Sequence, residues 1–337
     1  MKSVHLVIPD LFLPKDFAAE VCADLRLPAL ESLLGKGRSE ILEPVALEDR
    51  LCEMFGLPCR DDAPIAPISA AFDGLAAGCW LRADPVHLRL QRDQMLLLAN
   101  SEISAEEAGQ MCASLNEYFA GQGMEFFAPH PQRWYVRLDS LPDIRTRPIS
   151  QVIGGDVRGA LPTGANAAHW HRVFNEIQML LYAHPYNESR DERGVLTINS
   201  VWLWGTGHSE NVPLQKNYRN ASSDEVLVEM LAAAAGVPFS AWAGNWQDTE
   251  NDGRQLLVWT GLRPALQSGD LAAWRSALQD FESGYAQPLW QALRDGKIAQ
   301  VQLDILSGDG IRRVTLTRGD AWSFWRRARR LAEYSLV

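Results

Sequence analysis

The sequence predicts an α/β protein: a doubly wound, mainly parallel sheet that carries an inserted α+β module. Three observations lead there. Val4–Ile8 (VHLVI) is an unbroken apolar run rich in β-branched residues and closed by Pro9 and Asp10, the pattern of a strand buried on both faces. Strands alternate with helical segments through most of the chain, as a parallel sheet with crossover helices requires. From Gly78 to Leu138 the order changes to β-β-α-β-β, the texture of a compact module set into a larger domain. The expected boundaries are 1–77 with 165–337 for the core and 78–164 for the module.

Each element has its own warrant. The first strand ends on Asp10, so its carboxylate is delivered to the edge where such sheets carry their sites. In LPALESLLGKG, Leu27, Leu30, Leu33 and Leu34 fall at helical spacing before Gly35 and Gly37 end the helix. Leu51–Gly56 continues as a short helix, and Asp61–Pro67 reads as a proline-bearing connection. WLRADPVHLRL and MLLLAN are two strands, SAEEAGQMCASLNEYFAGQG is a capped amphipathic helix, and MEFFAP and RWYVRL are two further strands. Ala167–Ala183 places Trp170, Phe174, Ile177 and Leu181 on one helical face. VLTINSVWLWG reads as an apolar core strand, Asp224–Ala235 as a helix, VPFSAWAG and LLVWTG as strands, and Gly269–Arg294 as one long helix. The tail gives IAQVQLDIL, a turn at Ser307–Gly310, RRVTLTR and a last helix from Asp320.

Composition limits the function. The 337 residues are 47% hydrophobic and 22% charged, the proportions of a globular protein large enough for two domains. A net charge of −10 sets the field of the whole molecule against nucleic acid and anionic membranes. Apolar runs such as Val226–Val237, broken by Glu229, fall short of the ~20 residues of a bilayer span, and Met1–Pro9 is too short for a secretory segment. A cytoplasmic location is expected. Cys22, Cys52, Cys59, Cys79 and Cys112 form no CxxC or CxxH pair, which points to free, mostly buried thiols instead of disulfides or structural zinc.

Several segments carry a family resemblance. Asp10 with LPALESLLGKG resembles the opening of alkaline-phosphatase-superfamily enzymes, and HPYNESRDERGVLTINSVWLWGTG (184–207) resembles a signature of archaeal-type cofactor-independent phosphoglycerate mutases. DPVHLRL, LNEYF and RWYVRL resemble that family's substrate-binding insert, and GDLAAWRSALQDFESGYAQPLWQAL resembles its late helix. The resemblance runs through nearly the whole chain and implies an alkaline-phosphatase-like core. It also implies two divalent metals and a serine nucleophile, which this sequence does not supply. Asp10 matches the first metal aspartate, but Leu11 replaces the glycine after it. Leu47 of ALEDRLCEMFG stands at the serine. Arg263 and Gln267 of LRPALQSGD stand at a metal-binding aspartate and histidine, and Asp304 stands at the aspartate of an Asp-His pair whose histidine is Ile305. No histidine follows His208. A leucine cannot accept a phosphoryl group, and an arginine repels a cation. No catalytic residue, metal or cofactor is therefore expected, and Arg263 is expected to meet Asp10. The same texture is similar to a group of bacterial RpfE-type regulatory proteins.

A ligand cleft is expected from Asp84, His87, Arg89, His184, Asn187, Asn199, Trp202 and Trp204. His87 and Arg89 share a strand face, which either grips an anion or is solvated. Trp202 and Trp204 alternate before the Gly205–Gly207 turn and form either core packing or a ligand platform. His169 and His171 lie two apart on a helix, point to different sides and read as surface residues. In AWSFWRRARRLAEYSL, Trp322, Trp325 and Leu331 or Ala328 are expected inward and Arg326, Arg327, Arg329 and Arg330 outward. Three functions remain open: a non-catalytic regulator or metabolite sensor, which the missing ligands favour; a mutase or phosphatase rebuilt from Asp10, Asp304 and His208; and an interaction module using the basic C-terminal helix. The expected partners are a small phosphate or carboxylate metabolite or a protein, with no membrane and no nucleic acid.

Overall fold

The computed structural model describes residues 2–57, 62–99, 102–211, 214–248, 252–323 and 325–334, so the readings that involve Cys59, Asp61, Phe324 and the last three residues fall outside it. Among the described residues twelve strands are formed: β1 Ser3–Pro9, β2 Arg38–Leu42, β3 Cys79–Gln91, β4 Gln94–Ala99, β5 Met124–His130, β6 Arg133–Leu138, β7 Ser200–His208, β8 Asn220–Ser223, β9 Phe239–Ala241, β10 Arg254–Val258, β11 Gln300–Ser307 and β12 Gly310–Thr317. They lie in two units, Met1–Leu47 with Lys216–Val337, and Glu48–Gln215. No helix among the described residues is long and apolar enough to cross a membrane.

The first unit is built on a seven-stranded sheet in the order β2-β12-β11-β1-β10-β8-β9. β1 is central and parallel to both β10 and β11, β10 is parallel to β8 and β8 to β9, while β12 runs antiparallel to β11 and β2. Val4, Leu6 and Ile8 face one core with Leu30, Leu33 and Leu34 of helix Pro28–Lys36 and with Trp274, Leu278 and Leu289 of the late helical segment. That late segment does not run as one regular helix. Leu271–Phe281 passes through a π turn at Glu282–Ala286 into Gln287–Asp295. The widened turn lets Gly284 O accept from Trp246 N at 2.8 Å, and a Cβ at Gly284 would lie 2.4 Å from Gly244 O. It also brings the buried Glu282 carboxylate onto the N-terminus of Pro28–Lys36, where it accepts from Ala29 N at 2.8 Å and Leu30 N at 2.9 Å. This helix has no side-chain cap of its own, so a distant residue satisfies its orphan donors.

The second unit is a five-stranded antiparallel sheet, β4-β3-β6-β5 with β7 added beside β3. The thirteen residues of β3 serve three partners: β6 along 79–82, β7 along 79–86 and β4 along 86–91. The sequence reading puts β7 in the parallel core. The structure instead pairs it with β3, Trp202 opposite Asp84 and Trp204 opposite Arg82. An apolar run does not disclose its partner, and here Trp204 Nε1 finds the Asp84 carboxylate at 2.7 Å only across that antiparallel ladder. Helices Ala105–Tyr118 and Ala167–Tyr182 bury Met111, Leu115, Trp170 and Ile177 against Leu81, Val136 and Leu203. Residues 165–215 and 48–57 therefore share a unit with 78–164. The capping box is complete, with Ser104 Oγ accepting from Glu107 N at 3.1 Å and Ser104 N donating to Glu107 Oε2 at 2.9 Å.

Two other expectations are corrected. A helix Ile65–Phe72 begins within the stretch read as a connection, because Pro64 stands at its N-terminal boundary and Pro67 still falls within its first turn. The C-terminal segment is not one helix: Arg318–Ala321 ends at once, and Leu331–Tyr334 is a 3₁₀ turn. Side-chain anchors replace the helical ladder there. Arg326 Nη1 donates to Lys36 O at 2.7 Å, Arg329 N donates to Tyr334 Oη at 3.1 Å, and Leu331 N donates to Glu31 Oε1 at 3.3 Å. Leu331 and Tyr334 are buried, whereas Trp322 and Trp325, expected inward, are exposed. Of the described cysteines, Cys22, Cys52 and Cys112 are buried and Cys79 is half-buried.

Replacing Glu282 tests the borrowed cap. Glu282→Ala leaves two buried N–H groups unpaired and is expected to cost about 1–3 kcal/mol in urea unfolding, with Glu282→Gln costing less because one acceptor remains.

Candidate functional site

The carboxyl ends of the parallel strands gather charged groups from three elements. β1 runs out at Pro9, and Asp10 takes φ of +62°, a left-handed conformation that aspartate tolerates better than most side chains. Its N–H still donates to Leu306 O at 3.1 Å, and Trp274 Nε1 donates to its carbonyl at 3.4 Å. The carboxylate is thereby held at the edge, where Arg263 Nε donates to Oδ2 at 3.1 Å. Arg263 opens the short helix Arg263–Ser268 that follows β10, and Gln267 lies exposed one turn further on. Asp224, just beyond β8, accepts the N–H of Thr260 with both oxygens, at 2.8 and 3.1 Å. Burial raises the Asp224 carboxyl pKa, with the Thr260 bonds and the Arg263 guanidinium acting the other way.

The remaining positions suggested by the resemblance do not join this group. Leu47 is 5% exposed at the start of helix Leu47–Met54 and offers no polar atom. Asp304 lies opposite Val7 in the β1–β11 register, three residues before Asp10, which separates the two along the strands by roughly 10 Å. It is fully buried, and its oxygens accept from Arg313 Nε at 2.7 Å and Nη2 at 2.9 Å and bond His5 Nε2 at 3.0 Å. His5 in turn meets Tyr218 Oη at 2.9 Å. A bidentate fork on a buried carboxylate satisfies it fully, so Asp304 serves the interior of the sheet.

In the second unit, most of the predicted cleft residues hold strands together. Asp84 receives Arg82 Nε at 3.1 Å and Nη2 at 2.5 Å as well as Trp204 Nε1, and the Arg82 guanidinium lies over the rings of Tyr135 and Trp204. Trp202 Nε1 donates to Arg147 O at 2.8 Å. Asn199 exchanges bonds with the backbone of Leu88, and Asn187 with Ile198 and Leu181. His184 Nδ1 accepts from Tyr186 N at 3.3 Å while Nε2 meets Ser114 Oγ at 3.2 Å. His87 Nδ1 bonds Thr197, and burial lowers its pKa. Arg89 is exposed, with no carboxylate in ion-pair range among the described residues. His169 is exposed and His171 bonds Pro162 O at 2.8 Å. His208 sits opposite Cys79 in this unit, apart in sequence and unit from Asp10 and Asp304.

Sequence reasoning missed one group in this unit. Asp49 and Asp62 line a cavity of about 270 Å³ with Thr146, Thr163 and Arg145. Thr146 donates to Asp62 Oδ2 through both N–H and hydroxyl, but Asp49 Oδ1 and Asp62 Oδ1 are buried and have no hydrogen-bond partner among the described residues. Burial pushes both carboxyls up to about 6, and for Asp49 the charge of Asp62 adds to it. Only the folded contact reveals the pair, since nothing in the sequence brings residues 49 and 62 to one cavity.

No family model matches the sequence. Over 297 residues the chain is 22% identical to the 2,3-bisphosphoglycerate-independent phosphoglycerate mutase of Methanosarcina acetivorans, spanning 78% of this chain and 74% of the relative. The Methanosarcina mazei mutase is 23% identical over the same span. Among solved structures, the cofactor-independent phosphoglycerate mutase of Thermoplasma acidophilum superposes with a TM-score of 0.51 at 16% identity, covering 100% of this chain and 96% of that one. The PH0037 protein of Pyrococcus horikoshii gives 0.54 at 14% identity, covering 98% and 91%. The chain has the alkaline-phosphatase-like fold of these mutases, with an extra module, and its relation to them is supported by sequence as well. At the positions where the resemblance implies metal ligands, a guanidinium bonds Asp10 and Arg313 holds Asp304, which does not suit a cation there.

The Asp49–Asp62 pair gives a pH dependence of defined sign. With carboxyls raised from 3.8 to about 6, the folded chain holds protons that the unfolded chain has already released, so this pair's contribution falls as pH rises from the lower value to the upper. Asp62→Asn is expected to flatten stability against pH across about pH 4 to 7 in urea titrations, and an unchanged slope would remove the pair from the account.

Proposed function

We propose that this chain is a non-catalytic homologue of the cofactor-independent phosphoglycerate mutases, of the RpfE-type regulatory kind, with a cytoplasmic role as a sensor of a small phosphate or carboxylate metabolite. The observation that carries the reading is the Arg263–Asp10 ion pair at 3.1 Å. A permanently charged guanidinium stands where the resemblance implies metal ligands, and it neutralises the carboxylate that would have bound the ion. Leu47 adds the second support, since covalent phosphoryl transfer needs a nucleophile at that place. Arg89, exposed and without a carboxylate partner among the described residues, supplies a guanidinium for an anion.

The test joins activity to binding. Purified protein supplied with Mn²⁺, Mg²⁺, Co²⁺ or Zn²⁺ is expected to show no interconversion of 2- and 3-phosphoglycerate. Metal-dependent turnover that survives repurification and is abolished by Asp10→Ala would overturn the non-catalytic reading in favour of a rebuilt enzyme. Saturating 3-phosphoglycerate, phosphate or a related acid is expected to raise the melting temperature, and Arg89→Ala to remove that rise. A melting temperature unmoved by all of them would sink the sensor role while leaving the activity result standing.

A further inference from the structure

We propose that the C-terminal segment of the first unit is a docking surface for an acidic peptide segment of a partner protein. Between Arg318 and Arg330 the chain places five arginines against the single acid Asp320, in a protein whose net charge is −10. Local charge of that density, opposite in sign to the whole, suits a partner that supplies carboxylates. Arg326 is engaged by Asp320 at 2.9 Å and by Lys36 O, and Arg330 reaches Leu25 O at 3.4 Å and Glu31 at 3.8 Å. Arg327 and Arg329 are exposed, and neither has a carboxylate in ion-pair range among the described residues. Two guanidinium forks are thus left to bind carboxylates bidentately.

The apolar component lies alongside. Trp322 and Trp325 are 60% and 68% exposed, and the Arg294 guanidinium lies over the Trp322 ring at 5.1 Å. Tryptophan and arginine are the residues that most often carry binding energy in protein interfaces. Trp325, Arg327, Arg329 and Arg330 line an open groove of about 550 Å³ with Glu31 and Glu333.

The surface is held from behind, which limits the ordering that binding would require. Gly35 of helix Pro28–Lys36 makes room for the segment, since a Cβ there would lie 2.5 Å from Tyr334 Oη and 2.8 Å from Ala328 Cα. Buried Leu331 and Tyr334 anchor the following turn. The two glutamates of the groove and the −10 net charge disfavour a continuous polyphosphate, whereas a peptide can space its carboxylates to avoid them. The proposal is independent of whether the Asp10 site retains chemistry.

Fluorescence anisotropy tests it with the full-length protein and a labelled peptide alternating Asp or Glu with Leu and Phe. A labelled oligothymidylate of equal charge and a basic peptide of the same length serve as comparators. The acidic peptide is expected to bind at low salt and the basic peptide not to bind. The Arg327→Ala, Arg329→Ala double variant and, separately, Trp325→Ala are expected to weaken the acidic peptide by about tenfold or more. Arg172→Ala, an exposed change in the second unit, is expected to leave it unchanged. Far-UV circular dichroism and the melting temperature verify folding, and Arg327→Lys with Arg329→Lys, which keeps charge but removes the forks, is expected to lose part of the affinity. Absence of acidic-peptide binding, equal loss in Arg172→Ala, or full affinity in the Arg327, Arg329 and Trp325 variants overturns the proposal. Tighter binding of oligothymidylate overturns it in favour of a nucleic-acid surface.

Discussion

A carboxylate delivered to the end of β1 has to be answered by positive charge, and here Arg263 answers it. Asp10 is placed by the strand itself: its N–H extends the ladder to β11, and its left-handed turn directs the chain away from the sheet. Both partners keep some exposure, 22% for Arg263 and 37% for Asp10, so solvent screens the pair and its weight in stability is small. Its weight in chemistry is larger. A guanidinium cannot be deprotonated in the working pH range, so the position stays cationic whatever else binds nearby.

The same requirement organises the buried interior of both units. Asp304 has its fork from Arg313, Asp84 has Arg82 between two rings, and the Glu107 carboxylate takes Arg190 at 3.1 Å and Arg193 at 2.8 Å besides closing the cap of its helix. Among the described residues Glu282 has no cation in that role and is answered by two backbone donors at a helix start, where the helix dipole also favours negative charge. Asp49 and Asp62 break the pattern. Their Oδ1 atoms have no partner among the described residues and burial raises both carboxyls, so here local electrostatics oppose the fold.

The legible parts of the fold were those written in consecutive residues. The VHLVI run identified the central strand, Ser104 with Glu107 identified a capped helix, and Trp170, Phe174, Ile177 and Leu181 identified a buried face. Partner choice was not legible, and β7 shows why: its tryptophans suit any apolar environment, and only Asp84 and Arg82 on β3 decide the sheet. β2 (RSEIL) is polar and largely exposed at an edge, and β8 is four residues long, so neither carries a periodic signal. The C-terminal segment has helical composition, but its anchors, Gly35, Glu31 and Tyr334, lie elsewhere in the chain or beyond its end. At the site, the Asp10–Arg263 pair is legible because each residue follows a recognisable strand, whereas Asp224, His5 and the Asp49–Asp62 pair are brought to their partners by the fold alone.

The non-catalytic reading is supported by three obstacles that are physically independent. Leu47 lacks a nucleophilic atom, Arg263 places a fixed cation beside Asp10, and Arg313 holds both oxygens of Asp304 inside the sheet. Changing Arg263 to a metal-binding residue would free Asp10 but leave a leucine where phosphoryl transfer needs an oxygen. Installing a serine at position 47 would leave the cation in place. Removing Arg313 would leave the buried carboxylate without its guanidinium, with the His5 ring still bonded to it, at a cost of several kcal/mol in comparable cases, well before it made a ligand. On the proposed reading, no single substitution therefore supplies all three parts at once, and the charges involved are bound into the ends and the interior of the same sheet.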